Sequence, residues 1–169
     1  NSGGQFAIAA ATGVISTTGT ALDYEGATSH SLTVSVSDGT AAVTNTVTVT
    51  VTDVNDQTPT FSATAGAINY AEGATTAVDS FTITDTDTSG TLACAESGAD
   101  ASKFSCAISG STLTVSWDAS PDFETQTDAD SIGVYVYTIT VGDGTNNADA
   151  VTYTITVTDV NEAPVVANA

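Results

Sequence analysis

Residues 46–53 read Thr-Val-Thr-Val-Thr-Val-Thr-Asp, so Val47, Val49 and Val51 fall on one side of an extended chain and the threonines on the other. Period-two alternation of β-branched residues marks a strand with one wet face. Residues 151–159 repeat the pattern, with Val151, Tyr153, Ile155 and Val157 set against Thr152, Thr154, Thr156 and Thr158, then Asp159. A second pair of strands also matches. Leu32, Val34 and Val36 run into Asp38-Gly39, as Tyr137, Ile139 and Val141 run into Asp143-Gly144. Further strands are expected near 67–71, 78–85, 91–95, 104–108, 111–117, 133–142 and 149–158. No segment carries a helical period. Many short strands separated by Gly, Asp and Ser turns predict an all-β chain of the sandwich type.

These matches form an internal repeat. Asp23-Tyr24-Glu25 recurs as Asp122-Phe123-Glu124, 99 positions on (122 − 23), whereas Asp38-Gly39 recurs 105 positions on (143 − 38). The second copy therefore holds six extra residues, placed around Gln126–Ser131 and expected as a solvated hairpin loop. Residues 1–52 match only the second half of the repeat that spans 60–158, and Phe6 and Phe104 occupy equivalent core places. Residues 53–59 read as a linker, and 159–169 as the next linker with the start of a further repeat.

Charge narrows the function. There are 20 acidic residues against one lysine, Lys103, and no arginine, for a formal net charge of −19. Such a surface repels nucleic acid and anionic membrane, which both require basic patches. The 41% apolar content and its regular alternation set the chain apart from a disordered polyanion. No apolar run approaches transmembrane length, so direct membrane insertion is not expected. Cys94 and Cys106 lack a Cys-x-x-Cys frame, and His30, read as a surface strand residue, is remote in sequence, so a zinc site has too few ligands. The cysteines are either a disulfide, which implies an oxidising compartment, or two buried thiols. Trp117 alternates with Leu113 and Val115 and reads as core or half-buried. Asp122 and Glu124, two positions apart, share a cation more naturally than they face each other across a sugar. No nucleophile elbow is present, and no enzymatic activity is expected.

Two oxygen-rich segments follow the last strand of each repeat: Asp53-Val54-Asn55-Asp56-Gln57-Thr58-Pro59 and Asp159-Val160-Asn161-Glu162-Ala163-Pro164. Hard cations such as Ca2+ take six to eight oxygens from carboxylates, amides and backbone carbonyls. The proline stiffens each segment. The first resembles the Asp-x-Asn-Asp-x-x-Pro junction of cadherin repeats, and the Asp-Val-Asn-Glu-Ala-Pro form is similar to cadherin-like repeats of large bacterial surface proteins. Leu22-Asp23-Tyr24-Glu25 and Pro121-Asp122-Phe123-Glu124 resemble the family's Asp-x-Glu motif. Asp85-Thr86-Asp87 resembles its Asp-x-Asp motif, Ala71-Glu72-Gly73 its glutamate loop, and Asp38 and Asp143 its late aspartate.

The resemblance implies tandem Greek-key sandwiches joined by linkers that each hold up to three Ca2+ ions. It assigns Asp23, Glu25, Asp53, Asn55 and Asp56 to the internal junction, with the carbonyls of Val54 and Gln57, and Asp85, Asp87 and Asp143 from the downstream repeat. It assigns Glu72, Asp122, Glu124, Asp159, Asn161 and Glu162, with the carbonyl of Val160, to a second junction, and Asp38 to one further upstream. Thirteen of the 20 acids thus fall in these motifs, which favours calcium over a merely acidic surface. The expected function is a calcium-rigidified extracellular rod, spacer or fibre segment at the cell surface, with adjacent repeats as partners. The alternatives are a glycan-binding accessory module of a secreted hydrolase and a self-associating homophilic adhesion domain.

Overall fold

The computed structural model describes residues 2–164. It divides into two compact units. One runs up to Asn55 and includes Asp87–Ser89, and the other comprises Asp56–Thr86 with Gly90 onward. Among the described residues there is no α-helix, only two 3₁₀ turns.

The first unit holds four strands, β1 (Phe6–Ile8), β2 (Ile15–Thr17), β3 (Ser29–Ser37) and β4 (Ala42–Thr50). Strand β1 pairs antiparallel with β2, and β3 with β4 over nine residue pairs, from Ser29 opposite Thr50 to Ser37 opposite Ala42. Among the described residues of this unit only Phe6 and Leu32 are buried apolar side chains, while Val36 and Val43 stay 71% and 75% exposed. His30 is not the plain surface residue its sequence setting predicts. It is half-buried, with its ring 5.2 Å from that of Phe6 in an edge-on contact. A nitrogen-bearing ring packs there because a strand position facing Phe6 offers an apolar contact.

The second unit is a sandwich of two four-stranded sheets. Its strands are β5 (Thr60–Phe61), β6 (Gly66–Ala71), β7 (Asp79–Thr84), β8 (Ala93–Ser97), β9 (Phe104–Ser109), β10 (Thr112–Trp117), β11 (Val134–Gly142) and β12 (Val151–Thr158). The sheet orders are β5-β7-β10-β9 and β6-β12-β11-β8. Strand β6 runs parallel to β12, from Gly66 opposite Tyr153 to Ala71 opposite Thr158, and the other pairings are antiparallel. The seven strands read from the alternation are all present, and β5 is the one the sequence did not announce. Two residues carry no period, and pairing with β7 alone makes Thr60–Phe61 a strand.

The alternation becomes a core. Leu113 and Val115 of one sheet meet Tyr135, Tyr137, Ile139, Val141 and Ile155 of the other, all at 2% exposure or less. Burial of each such side chain contributes about 1.5–3 kcal/mol. Trp117 is half-buried, packed on Phe104 at 4.2 Å and on Tyr135 at 4.8 Å between ring centroids. The cysteines form a disulfide, Cys94–Cys106, which ties β8 to β9 and so one sheet to the other.

The strand ends carry the turns. In both hairpins an aspartate accepts from the backbone N–H groups two and three residues on, Asp38 from Thr40 and Ala41 and Asp143 from Thr145 and Asn146. The next residue, Gly39 or Gly144, sits at φ 93° or 95°, a left-handed conformation that only glycine adopts without strain.

The inserted segment is a loop exposed at Thr127, Ala129, Asp130 and Ser131, as expected, but it is anchored from within by a buried carboxylate that the sequence did not signal. Asp128 is 5% exposed and accepts from the N–H groups of Ile132 and Gly133. Asp100, 3% exposed, reaches across to accept from Ala129 N–H at 2.6 Å and Val136 N–H at 2.7 Å. Two buried carboxylates satisfy backbone donors that no strand reaches. The polar composition of the insert hid this, because a partner 29 residues away is a tertiary fact.

Candidate metal centre

In the first unit the turn after β2 presents Asp23 and Glu25. Asp23 Oδ1 accepts from the N–H groups of Glu25 and Gly26, which fixes the turn. Glu25 has a carboxylate oxygen within 4.8 Å of one on Asp87. Its own backbone N–H pulls the Glu25 carboxyl down, but burial and the carboxyls of Asp23 and Asp87 outweigh that pull and raise it overall. Asp53 leaves the end of β4 and is held by Thr88 and Ser89. Its Oδ2 accepts from Thr88 N–H at 2.7 Å, from the Thr88 hydroxyl and from Ser89 N–H at 2.8 Å. The Thr88 hydroxyl, offset in part by burial, and these N–H groups lower its carboxyl. The other oxygen, Asp53 Oδ1, is buried with no hydrogen-bond partner. Asn55 is half-buried and Val54 64% exposed.

The second unit carries the remaining acids. Asp56 accepts from the side chain of its neighbour Gln57, whose own carbonyl accepts from Asn146 Nδ2 at 3.0 Å. Asp85, at the end of β7, and Asp143, 2% exposed in the β11–β12 turn, bring carboxylate oxygens within 4.8 Å of each other. Asp38, the counterpart of Asp143, is exposed and occupied with its own turn.

A cluster within this unit joins Glu72, Glu124 and Asp159, each with one carboxylate oxygen within 4.8 Å of those of the other two. Glu72 follows β6 and is 6% exposed. It accepts from Phe123 N–H at 2.6 Å and from Val160 N–H at 2.7 Å. Thus it clamps the Asp122–Glu124 motif and the end of β12 onto one point, and the two N–H groups lower its carboxyl. Glu124 goes the other way. Its own backbone N–H lowers it, but burial and the charges of Glu72 and Glu162 outweigh that and raise it. Asp122 stays outside the cluster, with Oδ1 accepting from Thr125 N–H. Asn161 and Glu162 are exposed, and Val160 contributes its N–H to Glu72. Of the terminal segment expected to open a further repeat, residues 165–169 lie outside the described residues.

Three converging carboxylates repel unless a cation or proton intervenes. The chain has one lysine for 20 acids, so protein cations cannot neutralise them. An all-oxygen donor set with no imidazole or thiolate suits a hard divalent cation such as Ca2+ and disfavours zinc or copper. The stranded oxygen of Asp53 fits the same group. Sequence reading missed the supports, namely Thr88 and Ser89 for Asp53 and Asn146 for the Gln57 carbonyl. Thr and Ser at a strand end carry no signal of their own.

Residues 1–52 match the profile of the cadherin domain. A search of curated protein sequences gives no match. Among solved structures, the fold resembles the human desmocollin-1 ectodomain at a TM-score of 0.75 and 20% identity, over 94% of this chain and 32% of that one. It resembles the protocadherin gammaB7 EC3-6 cis-dimer structure at 0.70 and 26%, over 94% and 38%. Mouse protocadherin-24 EC1-3 follows at 0.68 and 21%, over 91% and 52%. The chain therefore spans about a third to a half of the length of these relatives.

Proposed function

We propose, from the premise that the chain is built of cadherin-like repeats, that it is a calcium-rigidified segment of an extracellular adhesive or structural array. In this reading residues 1–52 are the C-terminal half of a repeat, 53–59 a calcium-binding linker and 60–158 a complete repeat, with the next linker beginning at 159. The internal junction draws on Asp23, Glu25, Asp53, Asn55, Asp56, Asp85, Asp87 and Asp143, with the carbonyls of Val54 and Gln57. The far junction draws on Glu72, Asp122, Glu124, Asp159, Asn161 and Glu162 with the carbonyl of Val160, and Asp38 serves one upstream. Partners are the neighbouring repeats, and the work done is mechanical, not catalytic.

The observation that carries this reading is the convergence of Glu72, Glu124 and Asp159 at the end of the complete repeat, where Glu72 also ties two backbone segments. Bound Ca2+ supplies positive charge where these carboxylates meet. Its removal restores their repulsion and loosens the strand ends that the junction joins. A calorimetric titration with Ca2+, together with small-angle scattering in Ca2+ and in EGTA, tests it. Several bound ions and a scattering profile that broadens on chelation are expected. No calcium heat and an unchanged profile would sink the reading.

A further inference from the structure

The two repeats can be matched residue by residue at the base of β3 and β11. Val51 N–H donates to the Thr28 carbonyl in one unit, and Val157 N–H to the Gly133 carbonyl in the other. Gly133 therefore answers to Thr28, and the second repeat has Ile132 and Val136 where the first has Ala27 and Ser31. Ile132 is 62% exposed and Val136 37%. Among the described residues of the second unit, the other exposed large apolar side chains are Phe123 and Val160. Those two match Tyr24 and Val54 and so belong to the plan both repeats share. Ile132 and Val136 belong to the second repeat alone, and both adjoin its six-residue insert. We propose that the insert, with Ile132 and Val136, is a docking site for a partner protein that brings Lys or Arg together with apolar side chains.

The segment is built to hold its shape. Asp100 and Asp128, 3% and 5% exposed, take up the N–H groups of Ala129, Ile132, Gly133 and Val136. Both exposed apolar residues are thus fixed through their own backbone. Ser131, next to Ile132, sits at φ 58°, the one non-glycine residue with a positive φ among the described residues. An L residue avoids that conformation unless its surroundings enforce it. A loop whose only task is to join two strands needs none of this, since the first repeat makes the same connection with six residues fewer. Side chains held in advance lose little freedom on binding, and an isoleucine facing water gains by leaving it.

Charge selects the occupant. Asp130 is exposed, two residues from Ile132. Its carboxyl is raised, first by the Asp128 carboxyl against it, then by lost hydration and by the charges of Asp128 and Asp100. The chain has one lysine, the half-buried Lys103, and no arginine. A second copy therefore brings carboxylates and no free cation to face Asp130, and anionic membranes and nucleic acids are repelled for the same reason. A lysine or arginine of a basic partner relieves the acidic insert while an apolar residue of that partner covers Ile132, an apolar centre with a charged rim. Two apolar side chains make a small centre, so this site by itself binds weakly. It uses none of the carboxylates that converge on Glu72, and it stands or falls independently of calcium there.

Fluorescence anisotropy of a short labelled peptide of alternating leucine and lysine, titrated with the full chain in Ca2+ at physiological salt, tests the proposal. Saturable binding is expected, and a control peptide with serine for leucine should bind about tenfold more weakly. Ile132→Ser should weaken binding of the leucine peptide about tenfold and Val136→Thr about threefold. Asp130→Asn should weaken it about threefold, with a shallower dependence on salt. Asp149→Asn, the same loss of charge in an exposed turn outside the insert, should change it less than about twofold. Melting through Trp117 fluorescence confirms that each variant is folded. Equal binding of the two peptides, no loss in Ile132→Ser, or an Asp149→Asn effect equal to that of Asp130→Asn overturns the proposal. So does dimerisation of the chain alone, seen by sedimentation, that Ile132→Ser abolishes, because the occupant is then a second copy.

Discussion

Glu124→Gln separates a metal ligand from a structural carboxylate by the sign of its effect. Glu124 lies within 4.8 Å of Glu72 and Asp159, and its carboxyl is raised, its own backbone N–H being outweighed by burial and by Glu72 and Glu162. Among the described residues no other backbone N–H donates to it, whereas Glu72 holds Phe123 and Val160. The amide therefore removes one negative charge and leaves the clamp intact. In EGTA the variant should be as stable as the parent chain or slightly more so, because a repulsion has gone. In calcium the order reverses. An ion present at ten times its dissociation constant stabilises the folded state by about 1.4 kcal/mol. If loss of one of three carboxylates weakens binding about tenfold, the gain falls to about 0.4 kcal/mol. The difference of about 1 kcal/mol corresponds to roughly 4 °C in melting temperature for a unit of this size. Trp117, the only tryptophan, packs on Phe104 and Tyr135 and reports on the second unit alone. Melting followed by its fluorescence at matched calcium and EGTA gives four temperatures. If the variant loses the same amount in both conditions, Glu124 is structural and the metal reading of the cluster is wrong.

Other outcomes follow from the same contacts. Asp56→Ala should weaken calcium binding measured by calorimetry far more than Asp149→Ala, which alters an exposed turn outside every motif; equal effects would mean that only bulk charge matters. Replacing both Cys94 and Cys106 by Ala opens a loop of sequence separation 12 and should cost about 3 kcal/mol in denaturant unfolding, read from the chain-entropy relation. Asp100→Ala strips the acceptor from the N–H groups of Ala129 and Val136 and should cost about 3 kcal/mol, with faster amide exchange in the 126–133 segment. Leu113→Ala, at a fully buried position, should lose about 2–5 kcal/mol by the same measurement.

The strands were legible because burial in a sandwich has period two, and Val-Thr alternation states that period residue by residue. Leu113, Val115, Ile139, Val141 and Ile155 could be named as core before any fold was known, since one face of each strand had to leave water. The acidic motifs were legible for a similar reason: the carboxylates sit at strand ends in short local runs, so members of one motif are neighbours in sequence. Three things were not. The family resemblance groups Glu72 with Asp159, but no local pattern does: they are 87 residues apart (159 − 72), and the parallel pairing of β6 with β12 is what brings their ends together. Asp100 and Asp128 look like surface acids until the topology points them at unpaired N–H groups. The joining of Cys94 to Cys106, rather than two buried thiols, depends on β8 and β9 lying at matching edges of the two sheets. The sequence by itself determined which face of each strand is dry and where negative charge collects, because both are local properties. Only the tertiary structure decided which charges meet, because a carboxylate's partners are set by the packing of strands distant along the chain.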